Sequence, residues 1–339
     1  MKRIAFFGTK KYDQQVFDTV NALLDEQGKP LYGFEIKYYK AHPNMDNVLL
    51  VQGAEVVCCF VNDTLTADVL TEMGRLGVRL IALRCAGFNN VDLTAATQAG
   101  IRVVRVPAYS PHAIAEFTLG LILALNRHLP RAAARTRDGN FSLQGLMGFD
   151  LYGKTIGIIG TGKIAKVLIE ILQGFGMRIL GNDLCPDYDF AAKNHMEYVP
   201  LDTILRESDI ISLHCPLTKD NYHLINAEAI AKMKQGVMII NTGRGGLIDT
   251  EALIDGLKSR HVGSAGLDVY EEEGGYFYED VSDAIIEDDV LARLLSFNNV
   301  LLTSHQAFFT REALTNIATT TLQNIRDFFA DRPLLNEVK

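Results

Sequence analysis

The chain has 339 residues, 48% of them hydrophobic and 22% charged, which is typical of a globular protein large enough to fold into two domains. It contains 33 lysine and arginine residues against 41 aspartate and glutamate residues, and its net charge is -8 at pH 7. This excess of negative charge disfavours nucleic acid and anionic membrane surfaces as partners.

The N-terminal third of the chain alternates short apolar runs with helix-like stretches. Strands are predicted at KRIAFFG, FEIKYYK, EVVCCFVN and VRLIALRCAG, a further short element over 46–53, and helices over Tyr12 to Asp25 and near 66–76. This alternation predicts a parallel α/β sheet. Because charge returns soon after the first apolar run, the N-terminus is interpreted as a strand and not as a signal peptide. We therefore expect a cytoplasmic protein.

A long helix is predicted from Ser110-Pro111 to about residue 130, with the serine as N-cap and the proline in the first turn. We place a crossing between domains at its start. Its most apolar part, Phe117 to Leu125, is about half as long as a membrane span requires. We therefore expect a buried helix and no membrane partner.

From Lys154 the chain follows a strand, glycine turn, helix and strand order over KTIGIIG, TGKIAKVLIEILQGFG and MRILGND. Further strands are predicted at DIISLHC, GVMIINT, GSAGLDV and NVLLTSH, and helices over Ala227 to Met233, Glu251 to Ser259 and Arg311 to Ala330. We expect the last helix to return to the first domain. The prediction is thus an α/β protein with a discontinuous domain of residues 1–108 and 308–339, and a second domain of residues 109–307.

The glycine turn has the pattern GxGxxA over Gly160, Gly162 and Ala165, directly after a strand and before a helix. In this context Gly160 permits the tight turn, Gly162 lets the backbone approach a pyrophosphate, and the helix N-terminus favours anionic phosphates. Asp183 ends the next strand, where a carboxylate can bind ribose hydroxyls and repel a 2′-phosphate. The pattern indicates NAD; the alternative is a plain turn with a surface aspartate.

Three strand ends carry the side chains expected to do chemistry. Arg244 follows GVMII, Glu273 lies beyond GLDV, and His305 follows NVLLTS, so all three are expected at the carboxyl edge of one sheet. An arginine there can bind a carboxylate through two hydrogen bonds. Taken alone, it could equally be a surface residue of a glycine-rich turn.

Histidine is suited to donating and accepting a proton near neutral pH, and a neighbouring carboxylate would stabilise its protonated form. His305 and Glu273 are therefore a candidate acid/base pair for reduction of a ketone. The alternatives are a structural histidine and a solvated acidic loop.

The five cysteines, an odd number without CxxC spacing, are expected to be reduced and structural. The acidic loop with Glu279, Asp280, Asp288 and Asp289 could suggest a metal site, but no histidine or cysteine lies at ligand spacing beside it. We expect a solvated loop and no metal.

The motifs GTGKIA, LHCPLT, NTGRGGLID, DVYEEE and TSHQAF together resemble the D-isomer-specific 2-hydroxyacid dehydrogenase family over almost the whole chain. RCAGFNNVDL, VPAYSPHAIAEF and HQAF, with the loop containing YFYEDVSD and IIEDDVLARL, are similar to the bacterial fermentative D-lactate dehydrogenases within it. The resemblance implies two Rossmann-like or flavodoxin-like domains with parallel sheets and an active site in the inter-domain cleft. It also implies reduction of pyruvate to D-lactate with NADH.

By this resemblance the catalytic residues are Arg244, Glu273 and His305. Among the three successive glutamates Glu273 is chosen, because the family glutamate lies five positions after the strand-end Asp268. Glu271 and Glu272 are then expected to be structural. The amides of Ala86 and Gly87 and the hydroxyl of Tyr109 would bind the substrate carboxylate. The residues that would line the NAD site are Gly160, Gly162, Lys163, Ile164, Asp183, Cys215, Pro216, Asn221, Thr242, Gly243 and Asp268.

Part of this transfer has independent support, because the AGFNN turn follows a strand and its small residues leave amides accessible to a carboxylate. A simple β-turn is the alternative, and Cys215-Pro216 could be only a strand terminator. Many relatives have serine at position 243 and proline at position 304, where this chain has Gly243 and Ser304. Neither difference affects the predicted chemistry.

Other functions stay open at this point. A related enzyme could reduce glyoxylate, hydroxypyruvate or phenylpyruvate, and Phe308 and Phe309 are candidates for setting pocket size. A binding protein that senses NADH without catalysis is the alternative from another class. The resemblance further implies a homo-oligomer, a dimer or a tetramer, formed through the NAD-binding domain and the helix near 111–130.

Overall fold

The computed structural model describes residues 2–338. It divides into two units, Met1–Ser110 with Phe309–Lys339 and Pro111–Phe308. The limits predicted from the sequence, after residues 108 and 307, lie close to these divisions.

The first unit contains a six-stranded sheet in the order β13-β5-β4-β3-β1-β2. Its strands are β1 (Arg3–Phe6), β2 (Glu35–Tyr38), β3 (Val56–Cys59), β4 (Leu80–Leu83), β5 (Arg102–Val104) and β13 (Glu337–Val338). All of them are parallel except β13, which pairs antiparallel with β5. The order of β1 to β5 is the flavodoxin-like one, in which the strand order reverses between β1 and β3.

Four α-helices belong to this unit: α1 (Lys11–Asn21), α2 (Ala67–Arg75), α3 (Leu93–Gln98) and α12 (Arg311–Phe329). The segment 46–53 contains a 3-10 helix, Val48–Val51. Every residue of β3 and β4 is buried, as expected for central parallel strands covered on both faces. Helix α12 contacts α1 and β4, so the C-terminal helix packs on the first unit as predicted.

The second unit contains a seven-stranded parallel sheet in the order β12-β11-β10-β9-β6-β7-β8. Its strands are β6 (Thr155–Ile159), β7 (Arg178–Asn182), β8 (Met196–Tyr198), β9 (Ile210–Leu213), β10 (Val237–Asn241), β11 (Val262–Leu267) and β12 (Val300–Leu302). Counted from β6, this is the Rossmann order extended by one strand. The strand order reverses between β6 and β9, and in such sheets ligands bind outside the carboxyl ends of the strands at that reversal.

The helices of the second unit are α4 (Pro111–Asn126), α5 (Leu129–Arg137), α6 (Lys163–Leu172), α7 (Tyr188–Lys193), α8 (Leu201–Glu207), α9 (Ala227–Lys232), α10 (Thr250–Lys258) and α11 (Asp289–Leu295). Short 3-10 helices occur at Gln173–Phe175, Lys219–Asn221 and Gly245–Leu247. Apolar residues of β6, β9 and β10 are almost completely buried and divide between two clusters that cover the two faces of the sheet.

Two helices end earlier than the sequence predicts. Helix α1 stops at Asn21 because the Asn21 side chain both donates to and accepts from the backbone of Phe34, and Asp25 accepts the amides of Gln27 and Lys29 in a turn. Helix α4 stops at Asn126, and α5 begins at Leu129 with Pro130 in its first turn.

The end of α4 has a clear physical cause. His128 has a left-handed backbone, with φ 50°. Pro130 has no N–H to continue the hydrogen-bond ladder of α4, and a proline is tolerated only in the first turn of a helix. The Asn126 side chain holds Phe149 through two backbone hydrogen bonds. The single predicted helix is therefore two helices.

No helix among residues 2–338 is long and apolar enough to cross a membrane. All five cysteines are free thiols, and Cys58 and Cys59 are completely buried in β3. Burial raises the pKa of the Cys58 thiol to about 12, so this sulfur stays protonated. The prediction of reduced, structural cysteines is confirmed for this pair.

Candidate active site

The glycine turn lies at the point where the order of the second sheet reverses. Gly160 follows β6 and has a φ of +87°, and a Cβ placed there would lie 2.5 Å from the Cys215 backbone nitrogen. Gly162 is the N-cap of α6, and a Cβ placed on it would have no atom within 4 Å. The space beside Gly162 and the first turn of α6 is therefore open to a bound group, and the N-terminus of α6 favours an anionic one.

Asp183 follows β7 and is held in a fixed orientation beside this turn. Its Oδ2 accepts the Thr161 amide at 2.5 Å and the Thr161 hydroxyl at 3.1 Å, and its Oδ1 accepts the Cys185 amide at 2.8 Å. Burial raises the pKa of the Asp183 carboxyl, but these hydrogen bonds outweigh it and the net pKa lies below its ordinary value. A charged carboxylate with unused lone pairs is suited to accept hydrogen bonds from ribose hydroxyls.

The other residues predicted to line the NAD site lie along the same edge of the sheet. Cys215 and Pro216 follow β9, and the Asn221 amide donates to the Pro216 carbonyl at 2.7 Å. The Thr242 hydroxyl lies 3.0 Å from that of the buried Thr118. The remaining members are Lys163 and Ile164 at the start of α6, and Gly243 beyond β10.

Arg244 leaves the carboxyl end of β10 in a loop that the sequence holds tightly. Asn241 accepts the Gly243 amide at 3.0 Å and donates to the Arg244 carbonyl at 2.9 Å. A Cβ on Gly245 would lie 1.9 Å from the Tyr270 carbonyl oxygen, so this loop packs directly on the segment after β11. The Arg244 guanidinium donates to the Gly243 carbonyl and forms no ion pair with any carboxylate in the described part of the chain.

His305 and Glu273 form a hydrogen-bonded pair. The Nδ1 atom of His305 lies 2.9 Å from Oε2 of Glu273, and both side chains are largely buried. The other Glu273 oxygen accepts the Tyr270 amide at 3.1 Å, and the Tyr278 hydroxyl donates to the His305 carbonyl at 3.2 Å. His305 has a left-handed backbone, with φ 54°. Two predicted residues of the acid/base pair are thus in direct contact.

Asp268 has an organising role that the sequence reasoning did not identify. Its buried carboxylate accepts the Thr303 hydroxyl at 2.6 Å and the amides of Gln306 and Ala307 at 2.8 Å, and its carbonyl accepts the His305 amide. Burial raises the pKa of this carboxyl, against hydrogen bonds that lower it. Asp268 therefore fixes the loop that carries His305, and its predicted place in the NAD site stays a prediction.

Glu271 was expected to be structural, and its partners show how. It accepts the Tyr222 hydroxyl at 2.6 Å and the Thr250 hydroxyl at 3.1 Å, and lies 2.5 Å from His223 Nε2. The His223 amide donates to the Gly246 carbonyl in the loop that follows Arg244. Glu271 therefore links that loop to the segment that carries Glu273. No local motif indicated these partners, which are distant in sequence.

In the first unit the predicted carboxylate-binding turn follows β4. The carbonyls of this turn are engaged: that of Cys85 accepts the Val106 amide, and that of Gly87 accepts the Cys85 thiol at 3.3 Å. By contrast, the amides of Ala86 and Gly87 donate to no acceptor within residues 2–338. A turn with bound carbonyls and free amides is suited to bind an anion. The Tyr109 carbonyl accepts the Asn316 side chain at 2.7 Å.

The acidic loop has structural partners. Asp288 caps α11 through the amides of Val290 and Leu291 and accepts the Tyr270 hydroxyl, and Asp280 accepts the amide and hydroxyl of Ser282. Across the described range, residues 2–338, no group of three histidine, cysteine, aspartate or glutamate side chains is placed to hold a metal ion.

Comparison with known proteins identifies one family, through a family model that matches part of the chain and through relatives that match nearly all of it. Residues 119–307 match the family described as D-isomer specific 2-hydroxyacid dehydrogenase, NAD binding domain. The chain is 53% identical to a 2-hydroxyacid dehydrogenase homolog of Haemophilus influenzae, with 95% of each chain covered. It is 50% identical to the D-lactate dehydrogenase of Escherichia coli, with 99% of each covered.

Among solved structures, the pyruvate reductase of Chlamydomonas reinhardtii has a TM-score of 0.91 and 44% identity, and the match covers 99% of this chain and 98% of that one. These matches span both units, and the glycine turn and Asp183 suit the cofactor that the family description names. The chain therefore belongs to the D-isomer-specific 2-hydroxyacid dehydrogenase family, and its cofactor is NAD.

Proposed function

We propose that this protein is an NAD-dependent D-lactate dehydrogenase that reduces pyruvate to D-lactate, with His305 as the general acid. The observation that carries the proposal is the contact between His305 Nδ1 and Glu273 Oε2 at 2.9 Å. The similarity to proteins named D-lactate dehydrogenase and pyruvate reductase supports pyruvate as the substrate.

His305 delivers the proton to the ketone oxygen through Nε2. The carboxylate of Glu273 engages Nδ1, which leaves Nε2 as the nitrogen that can face the substrate. Glu273 also stabilises the positive charge of the protonated ring and fixes its orientation. In lactate oxidation the same nitrogen accepts the proton. Glu273 thereby serves both directions of the reaction.

Arg244 binds the carboxylate or carbonyl oxygens of the 2-keto acid. Its guanidinium lacks a carboxylate partner in residues 2–338, so it can pair with a substrate anion. The free amides of Ala86 and Gly87, with the Tyr109 hydroxyl, are proposed to bind the substrate carboxylate from the first unit. The role of Arg244 is inferred from contacts within the second unit, and that of the Ala86 and Gly87 amides from contacts within the first.

Gly160, Gly162 and Asp183 would hold NADH, together with the residues at the ends of β9 and β10. When bound, the cofactor supplies the hydride that is added to the ketone carbon. The open space beside Gly162 suits the pyrophosphate, and the fixed carboxylate of Asp183 suits an unphosphorylated ribose. The chain's own residues thereby select NADH over NADPH.

The test follows NADH oxidation with pyruvate and determines the chirality of the lactate formed. We expect D-lactate, and we expect His305→Gln to lower kcat by roughly a hundredfold or more while NADH affinity is retained. His261→Gln is the matched control, because the His261 side chain contacts the Met233 carbonyl at the amino end of β11, at the opposite edge of the sheet from the carboxyl ends. Near-normal turnover by His305→Gln would remove it as the acid.

A panel of 2-keto acids tests the substrate separately. We expect pyruvate to give a higher kcat/KM than phenylpyruvate, hydroxypyruvate or glyoxylate. A preference for one of the others would replace pyruvate while leaving the acid/base assignment intact. NADH binding without steady oxidation of any of them would make the protein a sensor.

We further propose a cytoplasmic homo-oligomer, a dimer or a tetramer, that forms through the second unit. Large apolar side chains are exposed just beyond α5, with Phe141 75%, Leu143 82% and Met147 90% accessible. An exposed apolar segment of this kind is typical of an interface. Light scattering on the purified protein tests this, and a monomer at micromolar concentration would contradict it.

A further inference from the structure

Arg105 lies directly behind the turn whose amides are proposed to bind the substrate carboxylate. It follows β5, and its Nη1 donates to the Ala86 carbonyl at 2.8 Å. Its guanidinium also lies over the Phe88 ring, 5.1 Å from the centroid. It forms no ion pair with any carboxylate that the structure describes. The Arg105 guanidinium therefore contacts two residues of the turn, the carbonyl of one and the ring of the other.

The geometry of a peptide group gives this contact a consequence. The Ala86–Gly87 peptide is trans, so its C=O and N–H point in opposite directions within one plane. A guanidinium that holds the Ala86 carbonyl therefore fixes the Gly87 N–H on the far side of the plane. That N–H, like the Ala86 N–H, has no acceptor among residues 2–338. Arg105 thus sets the direction of a donor without touching what that donor binds.

The same contact changes the strength of the donor. A cation bound to a peptide carbonyl polarises the group and makes its N–H a stronger hydrogen-bond donor. The unpaired positive charge also attracts an anion toward the turn. Both effects act on the carboxylate and neither acts on the ketone carbon.

We propose that Arg105 is a positioning residue for the substrate carboxylate, acting through the Ala86–Gly87 peptide. The inference rests on the proposed role of this turn in binding a 2-keto acid. Arg105 contributes to KM for the substrate and to the affinity of carboxylate inhibitors, and it contributes little to the hydride and proton steps.

Replacement of the side chain leaves the local backbone anchored. The Arg105 amide donates to the Asn336 carbonyl at 3.1 Å, and its carbonyl accepts the Asn324 side chain at 3.0 Å. Neither bond involves the guanidinium. Arg102, on β5 itself, provides a matched control because its partly exposed side chain pairs with Glu337 and has no contact with the turn.

The experiment compares Arg105→Ala, Arg105→Lys and Arg102→Ala with the wild type in pyruvate reduction and in inhibition by oxamate, which has the carboxylate of pyruvate. We expect Arg105→Ala to raise KM for pyruvate and the oxamate inhibition constant roughly 10- to 100-fold. Its kcat should stay within about threefold and its KM for NADH should not change. Arg105→Lys should recover part of the loss, and Arg102→Ala should behave as the wild type.

An unchanged KM for pyruvate in Arg105→Ala would overturn the inference, as would an equal rise in KM for NADH. If Arg105→Ala does not fold, Arg105→Gln replaces it in the experiment. The glutamine side chain can still lie over the Phe88 ring but is too short to reach the Ala86 carbonyl, so the same rise in KM for pyruvate is expected. A wild-type enzyme that prefers another 2-keto acid would refute only the choice of pyruvate. The same variants would then be measured with that acid, since every 2-keto acid presents a carboxylate.

Discussion

Gly162 offers a test in which one methyl group separates folding from cofactor binding. A Cβ on Gly162 meets no atom within 4 Å, and the residue has an ordinary negative φ of -69°. Gly162→Ala should therefore fold normally, with a cost of at most about 1 kcal/mol from the poorer N-cap. If a pyrophosphate lies against this glycine, the methyl group occupies its place.

The expected effect on binding follows from the cost of overpacking, about 1–3 kcal/mol for an extra methyl group in a filled site. The dissociation constant for NADH should rise roughly 5- to 150-fold. Titration calorimetry measures it, and thermal unfolding checks the fold. Gly174→Ala is the matched control, because its methyl group also enters open space in the same unit.

Gly160→Ala should give the opposite pattern. Its φ of +87° costs a side chain about 1–3 kcal/mol. In addition, its Cβ would lie 2.5 Å from the Cys215 nitrogen and 2.7 Å from the Cys215 Cα, which are backbone atoms and cannot rotate away. We expect this variant to lose several degrees of thermal stability. Wild-type NADH affinity in a folded Gly162→Ala protein would refute the pyrophosphate assignment.

Three further predictions concern titratable or charged groups of the second unit. Arg244→Lys keeps the positive charge but loses two-point binding of the carboxylate, so KM for pyruvate should rise roughly 10- to 100-fold. The surface change Arg260→Lys is the control and should leave KM unchanged. A KM for pyruvate in Arg244→Lys equal to that of the wild type would exclude Arg244 from the site. Asp183→Ala should raise kcat/KM for NADPH relative to NADH, and a wild-type preference for NADPH would contradict the ribose argument. Burial lowers the pKa of His214 from 6.5 to about 4, so the folded state favours its neutral form. Because the unfolded chain binds a proton at His214 more readily than the folded one, neutral His214 contributes up to about 3 kcal/mol to the free energy of unfolding. This contribution is present above pH 6.5 and is lost as the pH falls toward 4. Urea unfolding of the wild type and His214→Asn across this range measures the difference, and parallel pH profiles would contradict it.

Features with a strict local cause could be predicted from the sequence. The alternation of strands and helices indicated both parallel sheets, and Gly160 was identifiable because a tight strand-to-helix turn tolerates no side chain there. Arg244, Glu273 and His305 were placed at one sheet edge because each follows a separate strand of the same sheet. The contact between His305 and Glu273 follows from that placement.

Features that depend on distant partners could not be predicted. The end of α1 depends on an amide side chain that binds the backbone of Phe34, and the path of the chain after α4 depends on one that binds the backbone of Phe149. Glu271 finds Tyr222 and His223 in a loop that no motif marks. Arg105 follows an unremarkable short strand, and only the fold brings its guanidinium to the Ala86 carbonyl. Periodicity reports which face a residue occupies, and it does not report which side chain from elsewhere will meet it.

His305, the proposed proton donor, has a left-handed backbone, and this conformation has a consequence for the stability of the fold. A side chain with a φ of 54° carries strain of about 1–3 kcal/mol, which Asn tolerates better and Gly does not incur. Replacing His305 by either residue would relieve this strain and remove the proton donor, but it would also leave the Glu273 carboxylate without its Nδ1 partner. The contact that orients the ring for proton transfer therefore also offsets the backbone strain of the residue that makes it.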